Sequence, residues 1–127
     1  MRAFNWATKT ILAAVVCLTG GIATARADSF GAISLSPATG ATGWSHDYRS
    51  RREAEDAAQS YCYKNAGDCR VAIWFKNSCG ALARGPDGGW GADWAQNNRQ
   101  AQRAAVAACS RHSYNCQVIR WQCSGGY

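Results

Sequence analysis

The chain states nearly the same sequence twice, and that duplication constrains its fold more than any other feature. Gly31-Ala32-Ile33 returns as Gly80-Ala81-Leu82, the Gly40 to Gly43 spacing returns as Gly88 to Gly91, and Ser50-Arg51-Arg52-Glu53 returns as Asn97-Asn98-Arg99-Gln100. Cys62 and Cys69 lie seven apart, as do Cys109 and Cys116, and the two pairs are offset by 47 residues, as are Ser50 and Asn97. A repeat that carries its own cysteine pair predicts two copies of one supersecondary unit, about 30–78 and 79–124.

Each copy reads as strand, strand, helix, strand. Phe30 to Leu35 and Ala41 to His46 flank the turn Ser36-Pro37-Ala38-Thr39-Gly40, and Gly80 to Arg84 and Trp90 to Trp94 flank Gly85-Pro86-Asp87-Gly88-Gly89. Proline presets one turn dihedral and glycine supplies the positive one. Ser50 with Glu53 forms a capping box, and Asn97 with Gln100 is its counterpart. Behind the caps, Ala54, Ala57, Ala58, Tyr61 and Cys62 share one helical stripe, matched by Ala101, Ala104, Ala105, Ala108 and Cys109. Such a thin stripe lets a helix lie close on a sheet but buries little area, so a disulfide at its last turn is needed to hold it. Cys69 to Phe75 and Cys116 to Cys123 are the closing strands, rich in β-branched and aromatic residues. Within them Trp74 and Trp121 are read as a buried pair near a pseudo-twofold axis, and the tail from Ser124 onward is expected to fray. The predicted class is α+β: two pseudo-symmetric β-β-α-β repeats, antiparallel sheet with two helices packed on it, and three disulfides.

The first 27 residues read as a secretory leader, with Arg2 and Lys9 before the apolar stretch Ile11 to Ala23 and a small-x-small site at Ala25-Arg26-Ala27. Nothing after it approaches the roughly 20 apolar residues of a spanning helix. The expected location is the periplasm or the medium. Without Arg2, Lys9 and Arg26 the 14 basic residues become 11 against 8 acidic ones, and the formal charge falls from +6 to +3. These cations are scattered, which argues against a nucleic-acid footprint. The remaining hundred residues form one small domain, 28–127, that needs staples. Six cysteines in an exported chain supply them as disulfides. Fifteen pairings are formally open; if each repeat keeps an internal bridge, they are Cys62 with Cys69, Cys109 with Cys116, and Cys79 with Cys123 as a clamp between halves. Zinc-type Cys-x2-4-Cys spacings are absent, so neither a metal nor another cofactor is expected.

The ordered set Gly31-Ala32-Ile33, Gly43-Trp44-Ser45, Ser50 to Glu55, Cys62, Cys69, Trp74-Phe75, Cys79-Gly80-Ala81-Leu82, Trp90-Gly91, Cys109, Cys116 and Cys123 resembles a bacterial exported family known only as domain of unknown function 4189. The resemblance spans about Phe30 to Cys123 and implies no reaction, cofactor or catalytic residue. Similar chains often carry proline before the first helix, where this one has Arg49.

Hydrolase, zincin and nucleotide signatures are missing. His46 and Asp47 precede the first helix, and Asp93 aligns with His46 at the 47-residue offset, so a small envelope hydrolase using His46 with Asp47 or Asp93 is one reading. His112 lies in the loop between Cys109 and Cys116. The aromatic residues Trp44, Tyr48, Trp90 and Trp94 form the stronger lead, because a small domain cannot bury every large ring. They point to a non-enzymatic interaction module for an envelope or host protein, or for a cell-wall glycan.

Overall fold

In the computed structural model, residue 20 and residues 27–125 are described. The expected leader, apart from Gly20 and Ala27, and the last two residues, Gly126 and Tyr127, lie outside them. Eight elements follow in order: β1 (Phe30–Leu35), β2 (Thr42–Tyr48), α1 (Arg51–Tyr63), β3 (Arg70–Lys76), β4 (Cys79–Arg84), β5 (Trp90–Ala95), α2 (Asn98–Cys109) and β6 (Gln117–Cys123). Both predicted caps are present. The Ser50 side chain accepts from the Glu53 N–H at 3.2 Å, and Asn97 Oδ1 accepts from the Gln100 N–H at 3.0 Å, so each helix begins with one orphan donor satisfied.

The strands form two three-stranded antiparallel sheets, ordered β2-β1-β3 and β5-β4-β6. Alternation along the central strands explains how they stack. On β1, Ala32 meets Ala54 and Ala58 of α1, while Ile33 and Leu35 point the other way and join Phe75 and Leu82. On β4, Cys79, Ala81 and Ala83 meet Ala101, Ala105 and Cys109 of α2. The result is four layers, α1, first sheet, second sheet, α2, with one shared core of large side chains between the sheets and a thin alanine seam under each helix. The helices come as close as the alanine stripes predict. A Cβ added at Gly43 would collide with the backbone of Ala58 and Cys62, and one at Gly91 with the backbone of Ala108 and Cys109. Glycine is thus fixed at both positions by close approach rather than by backbone dihedral.

The disulfides join Cys62 to Cys69, Cys109 to Cys116 and Cys79 to Cys123. The third, expected as a clamp between halves, instead links directly paired residues of β4 and β6 within the second sheet. Packing across the shared core holds the halves together. The expected buried tryptophan pair is corrected as well. Trp74 and Trp121 pair with Ala32 and Ala81, so both lie on the outer, helix-facing sides of their sheets, separated by the layers between. Trp74 is covered by the Phe30 ring and by the Arg51 guanidinium, 4.4 Å from its centre. The second repeat has Cys79 and Asn98 at the matching places, and Trp121 is left 43 % exposed. Nor does the chain fray immediately after β6. Ser124 is buried, its N–H bonds the Ser78 carbonyl at 2.9 Å, and Gly125 N–H reaches Asp47 at 3.0 Å.

Candidate functional site

The end of β2 holds the His46 and Asp47 pair. Asp47 has φ 60° and sits in a bulge where β1 and β2 slip register, which turns its carboxylate toward the chain ends. His46 Nδ1 lies 2.7 Å from Asp47 Oδ2. Asp47 Oδ1 accepts from Ser29 Oγ at 2.9 Å and from Gly125 N–H at 3.0 Å, and the Asp47 N–H donates to Ser124 Oγ at 2.9 Å. The Gly125 N–H above all, then His46 and Ser29, hold this carboxyl down at about 2. The arrangement is a latch. Both hydroxyls nearby, Ser29 and Ser124, bond each other at 2.6 Å and the residue Asp47, not the imidazole, so no hydroxyl is set against a base. His46 and Asp47 are both largely exposed.

Asp93 does not join them. The registers pair Ala32 with Ser45 and Ala81 with Asp93, so Asp93 is the counterpart of Ser45, and Trp94 is the counterpart of His46. Asp93 faces the helix side and accepts from the Trp94 N–H at 2.8 Å, and β2 and β5 do not touch. His112 lies apart, beside Arg111 and Trp90 in a shallow groove. Among the described residues no cluster of three or more His, Cys, Asp or Glu stands ready for a metal.

The four aromatic candidates divide between two rims. On the β2 side Trp44, 37 % exposed, is packed between the Arg120 guanidinium, 3.4 Å from its ring centre, and the Tyr61 ring at 6.4 Å, which Lys64 covers in turn at 4.6 Å. Burial lowers the Arg120 pKa. Tyr48 ends the same strand, opposite Phe30, and is exposed. Trp90 is partly buried against the shared core and also lines the shallow groove beside His112. Trp94, on the β5 side, is 51 % exposed and walls a cleft of about 430 Å³ with Ile73, Trp74, Phe75, Lys76 and Ser78. Its lining is chiefly apolar. Ser78 is itself buried, and its hydroxyl has no hydrogen-bond partner among the described residues.

Of these residues the sequence singled out Trp94 alone for binding; Ile73, Phe75, Lys76 and Ser78 were missed. The available signal was the mismatch between repeats, since Phe75 and Ile73 correspond to Gln122 and Arg120, but reading it requires the strand register.

The model of the family called domain of unknown function (DUF4189) matches residues 30–123. The fold is similar to a solved structure described as the NMR structure of Rv1813c from Mycobacterium tuberculosis, at 26 % identity and a TM-score of 0.55, over 75 % of this chain and 74 % of that one. None of the curated proteins matches the chain.

Proposed function

We propose that this chain, which belongs to the DUF4189 family, is an exported, non-enzymatic binding module of the cell envelope or extracellular space that meets its partner through the Trp94 cleft. The observation that carries this reading is a half-exposed tryptophan standing over an apolar cleft in a domain small enough to need three disulfides. The cleft has the size and the apolar lining of ligand pockets, with few polar groups to orient an occupant. That lining favours an apolar side chain of an envelope or host protein over a cell-wall glycan, whose hydroxyls would find few partners there. Three disulfides fit an oxidising compartment, and among the described residues no helix is long and apolar enough to cross a membrane. The hydrolase alternative has the His46–Asp47 bond in its favour, but that carboxylate is occupied by the latch.

The test compares retention of the wild type, Trp94→Ala, Trp44→Ala and His46→Ala on immobilised envelope proteins and on purified cell-wall sacculi. The Trp94→Ala change should abolish retention on protein with the fold intact by circular dichroism, since aromatic anchors dominate small interfaces. Retention on sacculi alone would replace the protein partner with a glycan. Turnover of an envelope substrate that His46→Ala abolishes and Trp94→Ala spares would overturn the binding reading.

A further inference from the structure

The stacked sheets meet β3 against β5 at the edge that holds the Trp94 cleft, and β2 against β6 at the opposite edge. There an open groove of about 560 Å³ follows Val118 to Gln122 of β6 and is bordered by Gln102 of α2. The two openings use corresponding stretches of β3 and β6, but their residues differ in kind. The registers carry Ile73 onto Arg120, Trp74 onto Trp121 and Phe75 onto Gln122, and the 47-residue offset carries Arg51 and Glu55 onto Asn98 and Gln102. In the first repeat Glu55 holds Arg51, whose guanidinium covers Trp74. The second repeat has no ion pair at that place, and the Trp121 ring stays 43 % exposed. Arg120 is the one charged residue of the groove lining. Its guanidinium rests on the Trp44 ring, it makes no ion pair with any described residue, and its Nε is buried without an acceptor. Neither α2 nor β6 contains an Asp or Glu that could reach it from its own element. A half-buried guanidinium without a counter-charge is costly, and a carboxylate matches its planar fork.

We propose that the β6 groove binds an acidic saccharide, with the sugar ring stacked on the Trp121 indole, its hydroxyls bonded to the Gln102 and Gln122 carboxamides, and its carboxylate paired with Arg120. An exposed indole flanked by carboxamides suits a pyranose, which has an apolar C–H face and a rim of hydroxyls that both donate and accept. The unpaired guanidinium then selects an acidic sugar over a neutral one. An acidic peptide added as a strand fits less well. Ile119 is an extra residue between Val118 and Arg120, whose partners Ala83 and Leu82 are adjacent, and such a bulge interrupts the row of backbone groups that a new strand would pair with. The groove is polar where the Trp94 cleft is apolar, so the two openings take different ligands, and the saccharide assignment stands whether or not the cleft binds protein.

The experiment titrates methyl β-D-glucuronide, methyl β-D-glucoside, sodium acetate and the acetylated, amidated peptide Gly-Glu-Gly separately into isotope-labelled protein. The glucuronide should move the Trp121 indole and Gln102 carboxamide resonances and bind at least about tenfold more tightly than the glucoside, as expected for a hydrogen bond to a charged group. Arg120→Gln should reduce that preference to less than about threefold. Because Arg120 also packs on Trp44, a second variant at the surface guards against loss of the fold: Gln102→Glu restores the carboxylate of the first repeat and should weaken the glucuronide at least about fivefold while sparing the glucoside. Trp121→Ala should abolish binding of both sugars with the thermal transition kept, and Trp94→Ala should change neither affinity. Equal binding of the two sugars overturns the role of the carboxylate. Acetate binding as tightly as the glucuronide overturns the saccharide in favour of a bare anion, and tighter binding of the peptide overturns it in favour of an acidic polypeptide. No movement at Trp121 with any probe overturns the inference outright. Loss of glucuronide binding in Trp94→Ala overturns it by placing the sugar in the other opening.

Discussion

Asp47 shows how one inserted residue separates two otherwise equivalent repeat ends. Its carboxylate holds Ser29, Gly125 and His46 together, joining the start of the first repeat to the end of the second. Its folded pKa of about 2 lies below the ordinary 3.8, so the charged form is favoured by folding. The stabilisation is therefore complete above about pH 4 and is lost as pH falls from there toward 2. Asp47→Asn should flatten the acid limb of the stability curve, measured as urea midpoints between pH 2 and 5. With a side chain this exposed the effect should not exceed about 1 kcal/mol. Asp28, Asp68 and Asp87 are also lowered by hydrogen bonds, so some acid sensitivity should remain in the variant. Unchanged slopes would show that the latch does not act in solution. Phe75 makes the complementary point about packing. A Cβ at either Gly31 or Gly80 would collide with its ring, so the two repeat-equivalent glycines are spaces for one side chain, which the second repeat replaces with Gln122.

At the scale of the element, the helices are set by local chemistry and can be tested locally. Ser50→Ala and Asn97→Ala should each cost about 1 kcal/mol in chemical denaturation, because each removes the acceptor for the N–H three residues on. Equal loss from the two would confirm that the repeats cap alike; no shift in either midpoint would mean that the helices do not depend on these caps. Caps, cysteine spacing and turn glycines were legible in the sequence because each acts over a few residues. The strand faces were not legible for an equally physical reason. The repeats are offset by 49 residues at Gly31 and Gly80, by 48 at Gly43 and Gly91, and by 47 from Ser50 and Asn97 onward, as the second hairpin turn and the missing bulge each remove one residue. Aligning His46 with Asp93 at 47 slips the strand by one, and a one-residue slip moves every side chain to the other face. Tryptophan at both Trp74 and Trp121 likewise suggested a common core, yet their surroundings differ at Phe30 and Arg51 against Cys79 and Asn98. The cleft itself was hidden because it is made by long-range stacking of β3 on β5.

At the scale of the whole molecule, the duplication is complete in sequence but incomplete in stability. Each repeat owns its helix seam and one short disulfide, while the large side chains Ile33, Leu35, Phe75, Leu82 and the partly buried Trp90 are buried only when the two sheets meet. A fragment of residues 27–78 would keep the Cys62–Cys69 bridge and yet present Ile33, Leu35 and Phe75 to water. Each such side chain left exposed forfeits roughly 1.5–3 kcal/mol, and the three together match much of the total stability of a small domain. The fragment alone should therefore lack a cooperative thermal transition, and an equimolar mixture with oxidised residues 79–125 should recover one. Circular dichroism melts of each piece and of the mixture decide it. A cooperative monomeric fold in 27–78 by itself, checked by sedimentation, would mean that the alanine seam and one disulfide suffice. The two repeats would then be two domains in contact, and the Trp94 cleft an interdomain crevice.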